Sequence, residues 1–264
     1  MQKNSIVYLS HGGGPLPLLG DSRHAEMVRV LTKLPEQLIR PKAILVVSAH
    51  WEEMRPTLYG PVNPPLYYDY YGFPAESYQL TYPAPGAIEI LASVKDQLTQ
   101  KGFQPQVNEE RGFDHGLFVP LKIMYPQADI PCMQLSLVEG LDPRIHIEMG
   151  RALADLTAKD VLIVGSGFSF HNMQAFFSTP TEEQRQLNID FSRWLADTCT
   201  NPQLSEPERA EKLACWSTAP AARYCHPREE HLLPLHVCYG AASAPATSNI
   251  ELNIMDKVSN ILVW

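Results

Sequence analysis

The chain has 264 residues, of which 45% are hydrophobic and 19% charged, and its formal net charge is −8 at pH 7. These values are ordinary for a globular protein with a large buried core. The acidic balance and the absence of a Lys/Arg cluster argue against a nucleic-acid-binding protein, and no apolar stretch approaches the length of a membrane helix. We therefore expect small-molecule partners, with no nucleic acid and no membrane.

The cysteines bear on the cellular compartment. They are odd in number, scattered, and form no CxxC pair: Cys132, Cys199, Cys215, Cys225 and Cys238. This pattern indicates reduced thiols and not a disulfide framework. The apolar run near the N-terminus is too short for the core of a signal peptide. Together these features predict a cytoplasmic location. A homo-oligomer is compatible with the sequence.

Short β-branched runs alternate with helical patterns along the chain. We predict strands at 6–9, 43–48, 131–137, 161–164 and 259–264, and helices at 25–38, 87–101, 145–157 and 182–198. Runs that are apolar at nearly every position suit strands buried on both faces. The pattern predicts an α/β fold: one domain over 1–264, with a mostly parallel central sheet flanked by helices. A Tyr/Pro-rich segment at about 56–85 is predicted to form a loop that covers the sheet.

Three histidines follow predicted strands closely. His11 follows "IVYLS", His50 follows "AILVVSA", and His171 follows "VLIVGSGFSF". Because ligands of open α/β sheets bind beyond the carboxyl ends of the strands, we expect these side chains to converge on an active site there. His115 in "RGFDHGLFVPL" and His231 in "HPREEHLLPLHVCYG", at the start of a predicted apolar helix, are further candidates. The other four histidines are assigned to surface or packing roles: His24, His146, His226 and His236.

The chemistry of such a cluster leaves several functions open. Neutral imidazoles bind Fe, Zn, Cu and Ni, and a catalytic site keeps a coordination position for water or substrate. A zinc-dependent hydrolase of an amide or ester, or a non-catalytic metal-binding scaffold, fits the same residues. The His-Gly-Gly-Gly sequence at 11–14 also occurs in esterases, but no G-x-S-x-G motif accompanies it. The segment "VGSGFSF" does not match the dinucleotide-binding motif G-x-G-x-x-G, because Phe170 occupies the position of the third glycine.

The assembled motifs resemble the class III extradiol ring-cleavage dioxygenases (LigB-type), and within them the 4,5-DOPA dioxygenase branch. The segments that carry the resemblance occur in one order from about residue 6 to 240: "SHGGGP", "VVSAHW", "YYGFPAESYQLTYPAPG", "RGFDHG", "YPQADIPCMQLSL" and "EEHLLPL". The resemblance implies an enzyme that opens a catechol-type aromatic ring beside one hydroxyl, with O₂, at a non-haem Fe(II) centre. Some members of the family contain Zn(II) instead.

The resemblance also implies roles for individual residues. His11, His50 and His231 match the metal ligands, with Glu230 as the neighbour that would replace His231 if the register were shifted by one. His171 matches an acid/base beside the metal that is sometimes a further ligand, and His115 matches a second active-site histidine. The glycines at 12–14 are expected to let the backbone pass close to ion and ring. Five tyrosines are candidate pocket walls: Tyr67, Tyr68, Tyr70, Tyr71 and Tyr82.

Overall fold

A computed structural model describes residues 4–264, in which the aliphatic runs form a single eight-stranded sheet. The strands are β1 (Ile6–Ser10), β2 (Ala43–Glu53), β3 (Thr57–Tyr59), β4 (Gln106–Val107), β5 (Cys132–Val138), β6 (Val161–Gly167), β7 (Ser248–Ile254) and β8 (Lys257–Val263). Their order across the sheet is β4-β3-β5-β2-β6-β1-β8-β7. The four central strands β5, β2, β6 and β1 run parallel, whereas β8 pairs antiparallel with β1, and β3 antiparallel with β5. The predicted mostly parallel sheet is confirmed.

The helices are α1 (Ala25–Lys33), α2 (Ile88–Gln100), α3 (His115–Met124), α4 (Pro143–Leu153), α5 (Met173–Phe176), α6 (Glu182–Thr200), α7 (Glu206–Ala214), α8 (Ala222–Cys225) and α9 (Leu233–Ala242). The predicted helix at 25–38 keeps α-geometry only to Lys33 and continues as a 3-10 turn, Leu34–Gln37, which contains Pro35. Within residues 4–264, no helix has both the length and the apolar character needed to cross a bilayer.

Helices cover both faces of the sheet, as the sequence predicted. Along β1, Ile6 and Tyr8 belong to one core and Val7 and Leu9 to the other. The first core also contains buried residues of α4, α6 and α9, and the second contains residues of α1 and α3. Both faces of the central strands are therefore buried, which explains why these strands are apolar at successive positions.

The structure adds strands that the sequence analysis did not predict, among them β7. It pairs with β8 along its full length through a hairpin whose two turn residues, Met255 and Asp256, have φ values of 52° and 61°. Such positive φ values at both turn positions match the right-handed twist of a hairpin. At the sheet edge, residues 251–254 of β7 alternate between exposed and buried, so the strand lacks the continuous apolar run that marked the central strands. The hairpin carries Met255 to the end of the sheet where the histidines lie.

Candidate metal centre

The three strand-associated histidines lie at the carboxyl ends of neighbouring parallel strands. His11 directly follows β1, and His171 lies a few residues beyond β6. His50 is still within β2, in the irregular stretch of its pairing with β5 between Val47 and Glu52. His115 is the first residue of α3. His231 lies in the turn before α9, which begins at Leu233, so the expectation that it belongs to the helix is wrong. The end of the sheet nonetheless brings all five side chains together.

The Nε2 atoms of three histidines lie close together in this cluster. The Nε2 atom of His50 is 3.0 Å from Nε2 of His11 and 3.3 Å from Nε2 of His231. Imidazole nitrogens bind zinc at about 2.0–2.1 Å, so adjacent ligands at roughly a right angle have nitrogens about 3 Å apart. The spacing of the three Nε2 atoms therefore fits a single divalent ion.

Hydrogen bonds at the Nδ1 atoms of His11 and His231 fix the tautomers of these two rings. The Ser166 hydroxyl donates to the Gly116 carbonyl, so its oxygen accepts a hydrogen bond from His11 Nδ1–H across 2.9 Å. Glu230 Oε1 accepts from His231 Nδ1–H, also at 2.9 Å. With the proton on Nδ1, the Nε2 lone pair of each ring points towards the cluster. Such hydrogen bonds orient histidine ligands and raise their basicity in metal sites.

Burial keeps these rings neutral. It lowers the pKa of both His11 and His50 well below the ordinary value, and the neighbouring histidines lower it further. For His231, burial and the adjacent His171 lower the pKa to about 3, against the opposing effect of Glu230. Neutral imidazole is the form that binds metal ions, so the cluster is ready to bind an ion at neutral pH.

His171 is held by the same carboxylate as His231. The two rings stack, with centroids 3.4 Å apart and planes inclined by 17°, and Glu230 Oε1 lies 2.9 Å from Nδ1 of each. Burial alone would raise the pKa of Glu230. The hydrogen bonds from His171 and His231 outweigh this effect and hold the pKa well below its ordinary value. Glu230 is thus an ionised acceptor on the Nδ1 side of His231, while Nε2 of His231 is the atom that faces His50.

A second carboxylate supports His115. Asp69 Oδ1 accepts from the backbone N–H of His115 at 2.9 Å and from its Nδ1–H at 2.8 Å. The other oxygen, Oδ2, lies 3.7 Å from Nδ1 of His50, and it is buried with no hydrogen-bond partner among the described residues. Sequence reasoning missed Asp69. Its signal was that it is the only charged residue between positions 56 and 75 of the Tyr/Pro-rich segment.

The cluster opens into a cavity of about 290 Å³. Of the five tyrosines predicted to wall it, only Tyr70 does so. Tyr71 is 91% exposed, and the hydroxyl groups of Tyr68 and Tyr82 donate to backbone carbonyls of Leu80 and Tyr125. The cavity is lined instead by apolar side chains that sequence reasoning did not select: Leu16, Phe73, Phe168, Met173, Phe176, Phe177 and Met255.

The glycine run beside His11 also lines the cavity, and the structure adds a reason for the glycine at position 12. Gly12 has a φ of +82°, and a Cβ there would lie 2.7 Å from the ring of His24. A side chain at Gly12 is therefore excluded by backbone strain and by the ring of His24. The His24 ring in turn accepts a hydrogen bond from the Gly13 N–H at 3.0 Å.

The remaining histidines pack within the protein. His24, His146, His226 and His236 are fully buried, and none belongs to a group of side chains that can hold a metal. Within residues 4–264, such groups are His11–His50–His231, His50–Asp69–His115 and His171–Glu230–His231, which adjoin one another.

The fold and this cluster agree with the comparison to known families. A family model described as the catalytic LigB subunit of aromatic ring-opening dioxygenase matches residues 6–261. The chain belongs to the LigB family. It is thus a ring-cleavage dioxygenase of a metal-dependent family, and the predicted resemblance is confirmed.

Individual relatives support this membership. The chain is 41% identical to dioxygenase tasH of Hapsidospora irregularis, over 90% of this chain and 78% of that protein. It is 37% identical to 4,5-DOPA dioxygenase extradiol of Beta vulgaris, over 94% and 91%. The crystal structure of the uncharacterized protein JW3007 from Escherichia coli K12 superimposes with a TM-score of 0.76 at 26% identity, covering 99% of both chains.

Proposed function

We propose that this LigB-family chain is an extradiol dioxygenase that opens a catechol-type, DOPA-like ring with O₂ at a non-haem Fe(II) centre held by His11, His50 and His231. The observation that carries the proposal is the convergence of three Nε2 atoms, 3.0 and 3.3 Å apart, on the floor of a cavity beside two further histidines. Relatives named 4,5-DOPA dioxygenase extradiol, at 31–37% identity, support a catechol as the substrate class.

When bound, Fe(II) supplies the Lewis acidity and the electrons that O₂ chemistry requires. The chain supplies proton transfer. His171 Nδ1 bonds to Glu230, so its Nε2 is free to accept a proton from a catechol hydroxyl in the cavity. The ionised carboxylate then stabilises the imidazolium, as a buried acid does behind a catalytic histidine.

His115 has the same construction on another side of the cluster. Its Nδ1–H bonds to Asp69, its ring centroid lies 3.9 Å from that of His50, and it lines the same cavity. In the proposed reaction, His171 acts as the base that takes the hydroxyl proton, and His171 or His115 returns a proton later. His171 is also a candidate further ligand, above all when Zn(II) occupies the site, because zinc readily completes a four-coordinate shell.

A zinc-dependent hydrolase and a non-catalytic metal-binding scaffold use the same imidazoles and are the alternatives to be tested. The protein is stripped of metal, loaded anaerobically with Fe(II) or with Zn(II), and supplied with L-DOPA or unsubstituted catechol and O₂. We expect a yellow ring-opened semialdehyde from the Fe(II) form, with one O₂ consumed per ring opened. His50→Ala serves as the control that lacks a ligand.

Two results would contradict the proposal. Ester or amide hydrolysis by the Zn(II) form, with no ring opening by the Fe(II) form, would identify a hydrolase. Tight metal binding without turnover of any catechol, ester or amide would identify a scaffold.

A further inference from the structure

The cavity is larger than a single aromatic ring needs. A cavity of about 150 Å³ is enough to hold benzene, whereas this one measures about 290 Å³. With one ring placed over the histidines, the remaining space accommodates a substituent of roughly the size of a second ring.

Apart from the histidines, the glycines, Tyr70 and Arg23, the cavity is lined by apolar side chains. Phe168, Met173 and Phe176 lie on the segment that follows β6, and Met255 comes from the β7–β8 hairpin. At the same cavity, Phe177 is 81% exposed and Met173 is 53% exposed. Large apolar side chains left in water beside a cavity indicate a surface that a ligand covers. The burial of their area would favour a substrate with an apolar substituent.

Charged partners for a polar substituent are few. Apart from histidines, the only charged side chain that lines the cavity is Arg23, and no carboxylate among residues 4–264 does so. Arg23 is already neutralised, because Asp21 accepts hydrogen bonds from its Nε at 3.2 Å and from its Nη2 at 3.0 Å. The ammonium group of an amino-acid side chain would thus lose its water without gaining a counter-charge, which is unfavourable.

We propose that, among the catechols that the proposed function covers, the preferred substrate carries an apolar group of about one aromatic ring in place of the zwitterionic side chain of DOPA. This inference rests on the proposed function and specifies the substituent that the site selects. Phe176, Phe177, Met173 and Met255 determine that specificity.

The test compares biphenyl-3,4-diol with L-DOPA on the Fe(II)-loaded protein. We expect kcat/KM to be about tenfold or more higher for the biphenyl diol, the range over which an apolar pocket discriminates. Phe177→Ala is expected to reduce that ratio about three- to tenfold, because part of the covering surface is lost. Met54→Ala is the matched control, since Met54 is also exposed (76%) but does not line the cavity.

A binding measurement separates this inference from the proposed function. Calorimetry on the metal-free protein compares biphenyl-4-ol with L-tyrosine, neither of which requires turnover. Tighter binding of biphenyl-4-ol supports the inference, whether or not any catechol is opened. A lack of ring opening would overturn only the proposed function. Ring opening with L-DOPA preferred, or a selectivity unchanged in Phe177→Ala, would overturn the inference and leave the dioxygenase intact.

Discussion

His171 and His231 stack face to face, with ring centroids 3.4 Å apart, and both bond to the same oxygen of Glu230. They differ in what their other nitrogens face, because Nε2 of His231 lies 3.3 Å from Nε2 of His50. We predict that His171→Ala retains most of the bound Fe while turnover falls by about 10²–10⁴.

Metal analysis beside single-turnover rates checks this prediction. His50→Ala, which removes a proposed ligand, should lose metal and activity together. Equal loss of metal in both variants would instead make His171 an obligatory ligand.

Glu230 is predicted to matter through its charge. Glu230→Gln keeps the size of the side chain but removes the carboxylate that holds two imidazoles. We expect metal affinity to fall by about 10- to 100-fold, as is usual when the hydrogen-bond partner of a histidine ligand is changed, and kcat to fall as well. The measurement is a competitive titration with a chelator. Glu229→Gln is the neighbouring control, because Glu229 pairs with Arg223 and not with the cluster; an equal effect there would refute a specific role.

Asp69 is predicted to position two histidines at once. Its Oδ1 holds His115, and its Oδ2 faces His50. Asp69→Ala should therefore lower both the metal affinity and kcat by about tenfold or more. Asp69→Asn should show smaller losses of both, because its amide oxygen can still accept hydrogen bonds from His115. An exposed carboxylate, Asp129, provides the control as Asp129→Asn. A loss of thermal stability without any change in metal affinity or kcat would show a purely structural role.

Stability is predicted to fall on acidification, in part through His146. Its Nε2 accepts from the Val138 N–H, and its Nδ1–H donates to the Asp142 carbonyl, so protonation breaks the first bond. Burial lowers its pKa from 6.5 to about 4. The unfolded chain thus binds the proton first, and the free energy of unfolding should drop between pH 6.5 and pH 4, by about 3 kcal/mol from this group.

Urea denaturation over this pH range checks that prediction. His146→Gln cannot titrate, so its stability should decline less steeply with falling pH, whatever its stability at pH 7. A slope equal to that of the unchanged protein would contradict the assignment.

The sequence predicts the central part of this molecule well because the central strands are apolar on both faces. Parallel strands end at one edge, so His11, His50 and His171 were expected together, and they lie together. The hairpin at β7 was not predictable in the same way, because an edge strand alternates polar and apolar residues.

The pocket walls were harder to predict than the histidines. Tyrosines in the Tyr/Pro-rich segment suggested an aromatic wall, but of these only Tyr70 lines the cavity. The hydroxyl groups of Tyr68 and Tyr70 donate to carbonyls of Leu80 and Ser77 in the same segment. Their pattern therefore reflects the internal structure of that segment. Asp69 serves the site through tertiary contacts with His115, 46 positions away. Its isolation as a charged residue in the Tyr/Pro-rich segment marks it as unusual, but no local pattern indicates which residue it contacts.

The β7–β8 hairpin has a consequence for the time at which the site is completed. Met255 donates its backbone N–H to the Arg23 carbonyl and lines the cavity beside the glycines after His11, while β8 pairs with β1. These segments follow His11 by more than 200 residues. The proposed three-histidine metal site and its cavity are therefore complete only once His231 and the β7–β8 hairpin have folded against the N-terminal strand.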